Sequence, residues 1–151
     1  MRRAMFIGLM LLCRGACAEE CADARAAEMS TDSLRTWTSV AAAFKQFSGC
    51  DDGVVAEGFS EGIARLMADH WAQLPQLAHL TPSNPGLESF VLKHLDETIN
   101  LADAKKIATL AHDSCPKDTQ SLCTKILGKL GFVQGGTTWR NLTNAWSGRD
   151  S

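Results

Sequence analysis

The chain has 151 residues, of which 45% are hydrophobic and 21% charged, with a formal charge of −2 at neutral pH. Residues 1–18 read as a removable leader that carries three arginines and no acid, so the remainder holds 12 basic against 17 acidic residues and a formal charge of −5. Such a balance excludes nucleic acid as the expected partner, because that binding is dominated by phosphate neutralisation, while residues 19–151 suffice for one domain with its own core.

The leader is read from three features in order. Arg2 and Arg3 give a positive start, Ala4 to Leu12 (AMFIGLMLL) is an uncharged apolar run, and Ala16-Cys17-Ala18 offers the small residues a signal peptidase reads, placing the cut before Glu19. Nine apolar residues fall well short of the roughly 20 needed to span a bilayer. Arg14 stands where a lipoprotein signal wants an aliphatic residue, and the surroundings of Arg2-Arg3 do not fit a twin-arginine signal. The expectation is export to the periplasm or the medium, with no transmembrane segment after processing.

Cys13 and Cys17 leave with the leader, and Cys21, Cys50, Cys115 and Cys123 remain. An even number in an exported chain implies disulfides, with three connectivities open. A zinc site lacks any CxxC pair and any histidine at ligand spacing, so neither metal nor cofactor is expected.

Helical periodicity runs through the chain. Cys21–Met29 is alanine-rich and reads as a short first helix, and the capping residues Ser30-Thr31-Asp32-Ser33 predict the start of a second. Leu34, Trp37, Val40, Ala41, Phe44 and Phe47 share one face of it, and Ser48-Gly49 ends it. The longest helix is predicted over Cys50–Leu74, with Asp51 or Asp52 as cap. Val55, Phe59, Ile63, Leu66, Met67, His70 and Leu74 form its apolar arc, Glu57, Ser60, Glu61, Arg65 and Asp69 its polar one, and Pro75 its end. Pro75–Leu80 reads as one loose turn. Thr81–Gly86 is the clearest breaker, with Asn84 and Pro85 opening a helix that faces Leu87, Phe90, Val91, His94 and Leu95 inward. Asn100 caps a helix with Leu101, Ala104, Ile107, Ala108 and Ala111 inside, which ends at Cys115-Pro116. Thr119–Leu130 presents Leu122, Cys123, Ile126, Leu127 and Leu130, with a stop at Gly131.

The tail, residues 132–151, holds Gly135-Gly136 and then one short helix carrying Trp139 and Trp146. No stretch alternates as a strand would. The predicted fold is all-α: a single compact bundle of five to six helices over residues 19–131, with two disulfides. Cys115–Cys123 closes a short reversal around Pro116, and Cys21–Cys50 closes an antiparallel helix pair, so this pairing is expected over the two that need unexplained tertiary proximity.

Candidate chemistry is sparse. His70 and His94 fall within apolar arcs, where burial tunes a proton-transfer group or presents a metal ligand, although neutral core histidines explain them with less. Asp51-Asp52-Gly53 with Glu57 has too few alternating oxygens for a calcium loop. Gly58-x-x-x-Gly62 points to close approach of a neighbouring helix or to a locally weak one. There is no GxSxG, HExxH or glycine-rich phosphate loop, so no catalytic residue is assigned. Asn141-Leu142-Thr143 matches a glycosylation acceptor that matters only in a eukaryotic secretory pathway.

The combination CDDG, DHWAQLPQL, FVLKHLDET, CP and LC over roughly Phe47–Leu127 resembles a group of small exported helical proteins from Gram-negative bacteria, which implies export and no particular activity. The reading that follows is a non-enzymatic exported domain that binds another protein, of inhibitor or immunity type. The alternatives are an enzyme or metal-dependent site built on His70 and His94, and a small carrier of an apolar ligand. Trp139 and Trp146 are further candidates for contact with a partner.

Overall fold

The computed structural model describes Cys21, residues 23–96 and residues 98–133. The expected leader and the tail with Trp139 and Trp146 lie outside the described residues. Among the described residues there are seven α-helices, three short 3₁₀ turns and no strand. The helices are α1 (Ala24–Thr31), α2 (Trp37–Phe47), α3 (Gly53–Asp69), α4 (Leu74–Leu80), α5 (Leu87–Lys93), α6 (Leu101–Asp113) and α7 (Gln120–Val133).

Several boundaries differ from those predicted, each for a local reason. Ser30 and Thr31 do not start the second helix. Their hydroxyls donate back to the carbonyls of Ala27 and Glu28 at 2.7 Å each, which keeps them in the last turn of α1. The cap of α2 is Thr36, whose Oγ1 accepts from the Ser39 amide while Ser39 Oγ accepts from the Thr36 amide, both at 3.1 Å. Asn84 does not cap α5 either. It is buried and donates to the Leu80 carbonyl at 2.6 Å, and the cap position belongs to Gly86 with φ +89°. Asn100 does cap α6, accepting from the Asp103 amide at 2.8 Å, but Leu101, expected inside, is 55% exposed.

The long helix also stops early. His70 leaves helical geometry at φ −125°, ψ 37°, and Trp71 turns inward, its indole N–H donating to the Ser114 carbonyl at 2.8 Å. Pro75 therefore terminates nothing. It sits in the first turn of α4, where its missing N–H has no helical partner to lose, and the loose turn expected at Pro75–Leu80 is a helix. At the other end of the chain α7 passes through Gly131, which does not take the left-handed backbone that ends a helix.

α3 is the element the others surround. It packs on α1 and α6, α6 packs on α7, α2 on α4, and α5 bridges α2 and α7. One continuous core results, with Trp37, Phe59, Ile63, Leu66, Met67, Leu77, Leu95, Ile107 and Ile126 all under 2% exposed. The close approach that Gly58-x-x-x-Gly62 suggested is present: a Cβ on Gly58 would stand 2.7 Å from the Thr31 Cβ, and one on Gly62 would stand 2.8 Å from Leu34 Cδ1. The structure pairs Cys21 with Cys50 and Cys115 with Cys123, the pairing expected from the sequence. The first closes a separation of 29 residues, which restricts the unfolded chain by about 3–4 kcal/mol in the chain-entropy model.

Two glycine-to-alanine changes are expected to have opposite signs. Gly62→Ala forces Leu34 to move and should destabilise by about 1–2 kcal/mol net, the overpacking cost exceeding the gain in helix propensity. Gly128→Ala, where an added Cβ meets nothing within 4 Å, should stabilise by about 0.5–1 kcal/mol. Urea denaturation midpoints of the two variants check this; equal shifts in one direction would refute the close approach.

Candidate functional site

The polar centre of the structure forms around His94, which caps the C-terminus of α5 and is 1% exposed. Its ring stacks edge-on against Phe90, with centroids 4.5 Å apart, and tilts against Phe59 at 5.5 Å. Nδ1 lies 3.0 Å from the hydroxyl of Ser60 on α3. On the opposite side Nε2 lies 3.2 Å from Oδ1 of Asp51, the residue between Cys50 and the cap of α3. That approach is off the hydrogen-bond axis, so it acts as a close polar contact rather than an aligned bond. The other carboxylate oxygen of Asp51 accepts from Lys93 Nζ at 2.6 Å, and the Asp51 side chain is only 7% exposed.

The two sequence-level caps thus divide the work. Asp52 caps α3, accepting from the Gly53 amide at 2.8 Å, and frees Asp51 to turn toward His94. Burial is the largest influence on His94 and favours the neutral ring, Asp51 opposes it, and Lys93 reinforces it; the net effect holds the histidine below its ordinary value. A carboxylate only accepts, so the approach of Asp51 favours the neutral tautomer with its proton on Nε2. Nδ1 is then bare and accepts from the Ser60 hydroxyl. Asp96, just beyond α5, is also lowered: burial opposes ionisation there but is outweighed by hydrogen bonds from the Thr98 hydroxyl and amide.

Ser60 is 4% exposed, yet it forms part of the wall of an open cleft of about 540 Å³ between α3 and the start of α6. Glu57, Glu61, Asp69 and Asp103 give that cleft an acidic lining, Arg65 is the one cation among its described lining residues, and Thr98 and Asn100 complete the rim. Arg65 is held by Glu61 at 3.2 Å and Asp69 by Lys106 at 2.9 Å. The hydrogen bond from Lys106 and its charge keep Asp69 ionised to lower pH than an isolated aspartate.

Serine, imidazole and carboxylate stand in line, as in a base-activated nucleophile. Ser60 nevertheless lies in the middle of α3, where its own amide and that of Glu61 are used by the helix. The α3 amides beside the hydroxyl are therefore not available to hold an oxyanion. The arrangement works as a buried polar clamp with one end at a cleft wall.

Of the residues singled out from sequence, His94 is in this clamp and His70 is not. His70 is exposed at the C-cap of α3, ten positions beyond Ser60 and therefore about 15 Å further along the helix. The structure does not bring the two histidines together. Among the described residues no three His, Cys, Asp or Glu side chains converge as a metal set. Trp139 and Trp146 fall outside the described residues. Ser60, Asp51 as a partner of His94, and the cleft were missed; the available signal was the run of small residues Ser60, Ala64 and Ala68, which marks a second buried face of α3. No protein-family model, no curated protein and no solved structure matches the chain.

A histidine held below its ordinary value costs stability as the pH falls. Its contribution is complete above the unfolded value of about 6.5 and is lost as acidification proceeds below it, because the unfolded chain takes the proton first. Urea midpoints of the native chain should therefore fall between about pH 7 and pH 5, and those of His94→Gln should fall less. Parallel slopes for the two proteins would show that His94 is not a source of the acid sensitivity.

Proposed function

We propose that this is an exported helical domain that acts by binding another protein, in the manner of an inhibitor or immunity protein, with the acidic cleft between α3 and α6 as its binding face. The observation that carries the reading is that cleft. It is open, about 540 Å³ in volume, and lined among the described residues by Glu57, Glu61, Asp69 and Asp103 against Arg65. Such a surface favours a basic partner in orientation and encounter rate. The formal charge of −5 expected for residues 19–151 acts in the same direction.

Other features support the same reading. The two disulfides suit an oxidising compartment. Among the described residues no helix is long and apolar enough to cross a membrane. The polar lining of the cleft does not suit an apolar cargo, which works against the carrier alternative. An enzyme built on His70 and His94 lacks their convergence, and the amides of α3 beside Ser60 are committed to the helix.

An arginine-rich peptide serves as a cationic probe in isotope-resolved NMR. It is expected to shift Glu57, Glu61 and Asp103, and Glu57→Lys should weaken it about fivefold or more, whereas Glu28→Lys, an equal charge change on the exposed face of α1, should weaken it far less. Equal weakening by both would reduce the interaction to net charge and remove the cleft as its site.

A further inference from the structure

Ser60 joins the cleft wall on one side and the buried histidine on the other, and this position has a consequence beyond acidity. With His94 neutral, the Ser60 proton is directed to Nδ1 and its remaining lone pairs are left to accept. With His94 protonated, Nδ1 becomes a donor, Ser60 accepts from it, and the hydroxyl proton leaves the ring, so that the hydroxyl is turned to donate toward the cleft. We propose that His94 sets the hydrogen-bond polarity of Ser60, so that the cleft takes a donor group, such as the ammonium or guanidinium of a partner's Lys or Arg, while His94 is neutral and rejects it once His94 is protonated.

The idea rests on the reading of the cleft as the binding face, and the geometry extends it in a specific direction. The charged groups acting on His94 are Asp51 from the segment before α3, Lys93 on its own helix, and Asp96 beyond that helix. α3 faces it with the uncharged Ser60 and Phe59, and the influence of α7 comes through Lys129 acting on Asp96. Of these carboxylates, Asp96 is held below its ordinary value by the hydrogen bonds from Thr98. A loss of cation binding that follows His94 is distinguished from one that follows the acidic lining by Ser60→Ala, which removes the first and leaves the second. The Cys21–Cys50 bridge anchors the residue immediately before Asp51, and so fixes the carboxylate that selects the Nε2–H form of the ring.

Two measurements test the proposal separately. Long-range ¹H–¹⁵N spectra of the free protein at pH 7.5 should show His94 protonated on Nε2 with Nδ1 bare; the opposite tautomer overturns the mechanism whether or not any peptide binds. The arginine-rich peptide is then titrated from pH 7.5 to pH 5. Its dissociation constant should rise, approaching tenfold per pH unit once His94 protonates, and Ser60→Ala should bind more weakly at pH 7.5 with a much shallower pH response. A constant affinity through the protonation of His94, or a Ser60→Ala profile parallel to that of the native chain, overturns the proposal. Absence of peptide binding at every pH defeats the binding-face reading itself, and the proposal with it, even where the tautomer is as expected.

Discussion

The constraint on which this structure turns is the burial of one imidazole. His94 is 1% exposed and sits among Phe59 and Phe90, where a polar ring atom without a partner costs on the order of 1–3 kcal/mol. Two separate segments face the two nitrogens: Ser60 from the middle of α3 is in hydrogen-bond contact with Nδ1, and Asp51 from the turn before α3 closely approaches Nε2. The register of α5 against α3 is thereby fixed, since a shift of one residue in either would leave the ring facing helix backbone or hydrocarbon. Lys93 then balances the Asp51 carboxylate from the exposed side of α5.

The remaining packing supports that register. Gly58 and Gly62 let Thr31 and Leu34 lie directly on α3, which brings α1 alongside and places Cys21 within bridging distance of Cys50. The bridge holds the chain immediately before Asp51. At the other end, Trp71 ties the end of α3 to the end of α6 through Ser114, and the Cys115–Cys123 bridge turns α6 into α7. Each of these joins a local sequence feature to a long-range contact. The cleft is left where α3 is not covered, between its outer face and the first turn of α6.

Much of this was legible in the sequence, and the failures have a common cause. The inward faces of α2, α5 and α7 followed from 3.6-residue periodicity, which placed Trp37, Val40, Phe90, Val91, Leu122 and Ile126 in the core. α3 is covered by α1 on one side and α6 on another, so its buried arc is wider than an amphipathic stripe. Ser60, placed on the polar face by angle alone, is buried for that reason. His70 failed in the opposite direction: the angle placed it inside, but the helix ends one residue earlier because Trp71 turns inward. Asn84 was assigned a cap it does not make, since its amide group closes the preceding turn instead. Side-chain competition for backbone groups is not visible in hydrophobic spacing.

The account's central claim is that Ser60 and His94 form one coupled unit, and a double-mutant cycle measures it most directly. Urea unfolding at pH 7 of the native chain, Ser60→Ala, His94→Phe and the double variant yields their interaction energy. Removing the serine should be costly while the imidazole is present, because Nδ1 loses its donor, and cheap once phenylalanine has taken its place. A coupling of about 1 kcal/mol or more is expected. Additivity within about 0.5 kcal/mol would contradict the account, leaving Ser60 and His94 as neighbours rather than partners.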